Sequence, residues 1–157
     1  MPSKLFAALV LVVAAFGGSS GLSAADSAPR VVKIKSGEGN QMKFDVTTIA
    51  VAPGESIKVV LTNACTLPKN VMGHNWVLLA KGTDPVAFAM AGMPEAEGGY
   101  IPAKMKDKVL AVIGMLGPNE TGEVLFTAPT EPGEYPFLCC FPAHCQIGMK
   151  GVLVVKK

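Results

Sequence analysis

The sequence has little charge and no run of one sign: 14 Lys and Arg stand against 12 Asp and Glu, and charged residues make up only 17% of the 157. A net charge of +2 without a basic cluster offers a phosphate backbone nothing to bind, so no nucleic acid is expected as a partner. Long apolar runs are also missing, since Leu5 to Phe16 falls short of the roughly 20 residues a membrane-spanning helix needs. No repeat is present, and histidine is scarcest of all, with only His74 and His144. Half the residues are nevertheless hydrophobic, which supplies a core and argues against disorder. With 17 Gly and 12 Pro, the chain reads as short strands separated by turns, and a helical bundle is disfavoured.

Lys4, the apolar run after it and the small residues Ser23-Ala24-Ala25 have the pattern of a secretory leader. The expected organisation is a signal peptide over residues 1–25 and one domain over residues 26–157, with no Cys at the junction to carry a lipid. The mature form is expected to be a soluble monomer in the periplasm, where disulfides persist.

Strands are predicted at Val31 to Lys35, Phe44 to Val46, Ile49 to Val51, Ser56 to Thr62, Asn75 to Ala80, Leu110 to Met115, Glu123 to Thr127, Gly133 to Cys139 and Gly151 to Lys156. The clearest is Ser56 to Thr62, where Ile57, Val59 and Leu61 recur at the two-residue period of a half-buried strand. This all-β pattern in about 130 residues points to an antiparallel sandwich. Asp84-Pro85 before Val86 to Ala91 combines a cap, a proline at the first helical position and good helix formers, predicting one short helix outside the sandwich.

A site needing two imidazoles must use both histidines. The run Cys139 to Met149 places a thiol, the imidazole of His144 and a thioether in one loop between predicted strands. Two His, one Cys and a distant Met form the ligand pattern of electron-transfer copper, whereas zinc favours a closed tetrahedral set without the thioether. His74, following the turn-like Met72-Gly73, completes a set of His74, Cys139, His144 and Met149 for one copper ion cycling between Cu(I) and Cu(II).

At these residues the chain resembles the azurin-like cupredoxins, or blue copper proteins. The segment Leu67-Pro68-Lys69-Asn70-Val71-Met72-Gly73-His74-Asn75-Trp76-Val77-Leu78 is nearly an azurin segment as it stands, and Gly39 to Phe44, Phe141-Pro142-Ala143-His144 and Met149-Lys150-Gly151 are similar to others. The resemblance implies an eight-stranded Greek-key β-sandwich with copper at one end, Met149 axial and the Gly73 carbonyl approaching from the opposite side. It implies an electron carrier, not an enzyme, that docks transiently with redox donor and acceptor proteins at an apolar patch of Leu67, Val71, Met72, Met93, Phe141 and Ala143. It further suggests that Asn75 ties the ligand loops together and that the N–H groups of Asn75 and Phe141 donate to the Cys139 sulfur. Two departures stand out. Ala143 occupies a position that is Gly in azurins, and Met149 follows His144 by five residues where azurins have four, as in plastocyanins.

Cys65, Cys140 and Cys145 are surplus to a mononuclear site, and the usual azurin disulfide has no counterpart. A link from Cys65 to Cys140 or Cys145 would staple the ligand loops. Three rival readings are a copper-buffering protein for copper resistance, a binuclear copper centre and a thiol enzyme using Cys139 and His144. The eight Met residues form no Met-rich run, His144 precedes Cys145 in the wrong order for a binuclear loop, and no acid or third histidine supports a catalytic pair.

Overall fold

The computed structural model describes residues 28–157, so the expected leader lies outside the described residues. Eight strands are present among them: β1 (Arg30–Ser36), β2 (Thr48–Val51), β3 (Ser56–Asn63), β4 (His74–Leu79), β5 (Val109–Leu116), β6 (Thr121–Thr127), β7 (Gly133–Leu138) and β8 (Lys150–Val155). They form a three-stranded sheet in the order β1-β3-β6 and a five-stranded sheet in the order β2-β8-β7-β4-β5.

The alternation read in the sequence sets the packing. In β3 Ile57, Val59, Leu61 and Asn63 point inward, with the residues between them half-buried. Opposite them Trp76, Leu78, Phe137 and Leu153 close the core, with the Trp76 and Phe137 rings 5.4 Å apart. All six residues of β4 are buried, because its second face is covered as well. That cover is α2 (Pro85–Gly92), preceded by a four-residue α1 (Lys69–Met72). Asp84 caps α2 by accepting from the N–H of Val86 at 2.8 Å and of Ala87 at 3.3 Å, as its sequence predicts. Phe88 and Ala89 then press onto Val77, Leu79, Leu138, Cys140 and Cys145.

Three expectations need correcting. The sandwich is mixed rather than antiparallel, since β1 runs parallel to β3 and β2 parallel to β8. Residue alternation reports which face is buried, not the direction of the neighbouring strand, and β1 is followed by β2 in the other sheet before the chain returns to β3. Phe44 to Val46 forms no strand: Phe44 makes a single bridge to Ser36 and buries its ring against Phe137 at 5.8 Å. The helix α1 was not expected, because four residues after Pro68 carry no periodicity to read.

His74 begins β4 and pairs with Leu116 at the end of β5, Cys139 directly follows β7, and His144 and Met149 precede β8. One end of the sandwich therefore collects every predicted ligand. Ile57 pairs with Phe126 near the other end, so Ile57→Ala is expected to cost about 2–5 kcal/mol of unfolding free energy in urea while the absorption of the copper-loaded protein stays unchanged.

Candidate metal centre

Two loops build the centre. The first runs from β3 through α1 to His74, and Gly73 lets it close. A Cβ there would lie 2.6 Å from the Lys69 carbonyl oxygen and 2.9 Å from the Met115 thioether sulfur, so any side chain would push α1 off the strand end. The second loop folds back on itself: the N–H of His144 donates to the Phe141 carbonyl at 3.1 Å and that of Met149 to the His144 carbonyl at 2.9 Å. The Cys139 N–H donates to the Met149 carbonyl at 3.1 Å, closing the base of the loop.

Asn75 joins the two, as expected. Its Oδ1 accepts the Cys140 N–H at 2.6 Å and its Nδ2 donates to the Gly99 carbonyl at 3.1 Å. His74, Cys139 and His144 are all buried, and their donor atoms lie within 4.8 Å of one another. The Nδ1 atoms of His74 and His144 are 3.9 and 3.6 Å from the Cys139 sulfur, and the two rings stand 4.9 Å apart. Met149 is fully buried in the same core cluster as Cys139.

Burial sets the protonation of this group. Desolvation lowers both histidines to about 4, with the His74 charge adding to the effect on His144. It also pushes the Cys139 thiol up to about 12, although the N–H groups of Asn75 and Phe141 both donate to the sulfur and oppose the rise. Two neutral imidazoles, one thiol and a thioether are soft and intermediate donors that suit copper, and only the thiol must lose a proton to bind it.

The surrounding surface differs in part from expectation. Val71 and Met93 are 54% and 49% exposed and Ala143 is exposed, but Met72 is buried and leaves the patch. It is the residue of α1 that faces inward. Ile147, in the lengthened loop, is also 61% exposed, which the sequence reading missed. Phe141 stacks on His144 at 4.7 Å and is braced by Tyr100 at 5.5 Å. Ala143 holds φ 69°, a left-handed conformation that costs an alanine about 1 kcal/mol and explains why glycine suits this position.

The proposed staple is absent, for all four cysteines are free thiols. Cys65 donates to Asn40 Oδ1 at 3.1 Å, whereas Cys140 and Cys145 pack in the layer beneath α2. Successive residues alternate across a strand, so Cys140 faces away from the core that Cys139 enters.

A buried trio of this kind at one end of a mixed eight-stranded sandwich defines a single-site copper protein of the cupredoxin class. The family model described as copper binding proteins of the plastocyanin/azurin type matches residues 31–156, and the chain belongs to that family. It is 35% identical to Auracyanin-A of Chloroflexus aurantiacus across 99% of this chain and 95% of that one. It is also 35% identical to the azurin of Pseudomonas chlororaphis across 74% of this chain and 92% of the other. Among solved structures, the dithionite-reduced auracyanin of Roseiflexus castenholzii superposes with a TM-score of 0.70 at 33% identity, covering 83% of this chain and all of that one. Electron transfer is the general role of azurins and auracyanins.

The depressed histidines make the metal-free protein acid-sensitive. A histidine whose value is lower in the folded than in the unfolded state stabilises the fold fully above about pH 6.5 and loses that contribution as pH falls through about 4. The urea midpoint of the metal-free protein is expected to hold steady near neutrality and to drop between about pH 6 and 4. A midpoint independent of pH over that range would contradict neutral buried rings.

Proposed function

We propose that this chain carries single electrons between redox proteins in an exported compartment, with His74, Cys139 and His144 as the residues that would hold a copper ion strongly and the Met149 thioether and the Gly73 carbonyl as weaker donors. The convergence of three buried donors within 4.8 Å supports this reading most directly. Bound copper supplies a one-electron couple. The protein excludes water, holds the donors in place through the Asn75 bridge and supplies a full ligand set, which leaves no position for a substrate and favours a carrier over an enzyme.

Electrons would enter and leave beside buried His144 through a surface of Leu67, Val71, Phe141 and Ala143, to which exposed Ile147 and Met93 would add and from which buried Met72 is withdrawn. Small apolar contacts of this sort suit donors and acceptors that dock and leave quickly. The expected leader over residues 1–25 would deliver the domain of residues 26–157 to the periplasm; no described helix is long and apolar enough to cross a membrane. Nothing in the arrangement requires a second copy, and a monomer is proposed. Copper buffering is the alternative, and titration separates the two: one copper per chain with reversible one-electron cycling supports the carrier, several copper(I) ions the buffer.

Two substitutions test the ligand set. Cys139→Ser is expected to abolish the intense thiolate-to-copper absorption, and full colour in that variant would overturn the assignment. Met149→Gln is expected to retain copper and lower the reduction potential in protein-film voltammetry, since axial ligation tunes potential. Loss of all copper there would show that the thioether is not a weak ligand.

A further inference from the structure

The ligand His74 is held by one nitrogen only. Its Nδ1 faces the Cys139 sulfur, while its Nε2 is buried without a hydrogen-bond partner. When Nδ1 takes a metal, Nε2 must carry the proton, and a buried N–H without an acceptor is costly. Ligating histidines ordinarily donate this second N–H to an acceptor that fixes the ring.

Gly37 borders the space beside that nitrogen. It sits at the end of β1 with φ 70°, and a Cβ built on it would be 2.8 Å from His74 Nε2, 2.8 Å from the Cys65 Cβ and 2.9 Å from Asn63 Oδ1. The imidazole nitrogen and the amide oxygen thus border one small space, kept clear by the missing side chain. Asn63 is buried at the end of β3, and its orientation is fixed from both sides. Its Nδ2 donates to the carbonyl of Leu116, the residue paired with His74, at 3.0 Å, and its Oδ1 accepts the Cys65 N–H at 3.0 Å. An amide oxygen has two lone pairs, so one remains for a second donor.

We infer that Asn63 is the positioning residue for His74: in the copper-loaded protein Asn63 Oδ1 accepts the His74 Nε2–H across the gap that Gly37 leaves open. The bond fixes the tautomer and ring angle of the ligand, tying the β3 end to the metal. The inference rests on the copper reading of the site. Ser36 Oγ, also buried and unpartnered, is its competitor, because Ser36 pairs with Asn63 in the β1–β3 register and can accept, whereas the third such atom among the described residues, Trp76 Nε1, only donates.

The test is ¹⁵N-edited NMR of the copper(I)-loaded full chain, following the His74 Nε2–H. In the unaltered protein the resonance is expected to exchange slowly. Asn63→Leu is expected to speed exchange at least tenfold and to weaken copper(II) binding about tenfold, as loss of an outer partner does. Asn63→Asp keeps an acceptor and is expected to restore slow exchange with the resonance moved downfield. Gly37→Ala leaves Asn63 intact but puts a methyl group into the gap, so it decides the matter if Asn63→Leu does not fold, and faster exchange is expected there too. Ser36→Ala is expected to change nothing. An unmoved, slowly exchanging resonance in Asn63→Leu and Gly37→Ala, or movement in Ser36→Ala alone, would overturn the role of Asn63 and leave the copper site standing. Failure of the unaltered chain to bind copper would overturn both.

Discussion

The hydrogen bond from the Cys140 N–H to Asn75 Oδ1 holds together segments 65 residues apart in the chain. One carries His74 and the other carries Cys139 and His144, so the metal centre exists only where that contact is made. Backbone pairing alone is thin here, because β4 meets β7 in register only at Val77 and Leu78. On the remote side the next β7 residue is Pro136, which has no N–H to donate, and on the other side β7 ends at Leu138. The Asn75 side chain, buried and bonded at both ends of its amide, replaces the missing ladder.

What the sequence made legible follows from how local each signal is. The donor cluster was readable because the scarcity of histidine left no choice, and because Cys139, His144 and Met149 share one short loop. Helix α2 was readable because Asp84 and Pro85 act within their own turn. The two parallel pairs were not, since β1 meets β3 and β2 meets β8 through contacts that no alternation within a strand encodes. Nor was the partition of the surplus thiols. Cys139 and Cys140 are neighbours in sequence but lie in different clusters, one in the core between the sheets and one under α2. Adjacent positions at a strand end fall on opposite sides of a sheet. Gly37 and Asn63 gave no sign at all: a glycine after a strand reads as a turn, and only the fold brings it against an imidazole 37 residues onward.

The ends of the sandwich carry different chemistry. Near the end remote from the ligands, Arg30 bonds to Glu55 at 2.5 Å and Lys81 to Glu131 at 2.6 Å. At the ligand end Val71, Ala143 and Ile147 are exposed, with the looser pair of Lys69 and Glu120 at 3.9 Å beside them. Exposed ion pairs contribute little to stability. Val71, Ala143 and Ile147 present no side-chain polar group to desolvate, whereas Lys69 and Glu120 stay hydrated.

The metal-free site already has the donors neutral, packed and close, and this bears on electron transfer. Neutral rings 4.9 Å apart do not repel, and a protonated thiol does not draw water inward, so the fold can hold the group together before metal arrives. A pocket arranged by strand ends, by Gly73 against Met115 and by Phe141 between Tyr100 and His144 has few ways to relax when the charge of its contents changes by one. Packed side chains resist displacement because any shift must open a void or create an overlap elsewhere. Hydrophobic packing around the donors is thus what would hold them in place, and in the loop between them His144 and Met149 are buried while Ile147 is exposed.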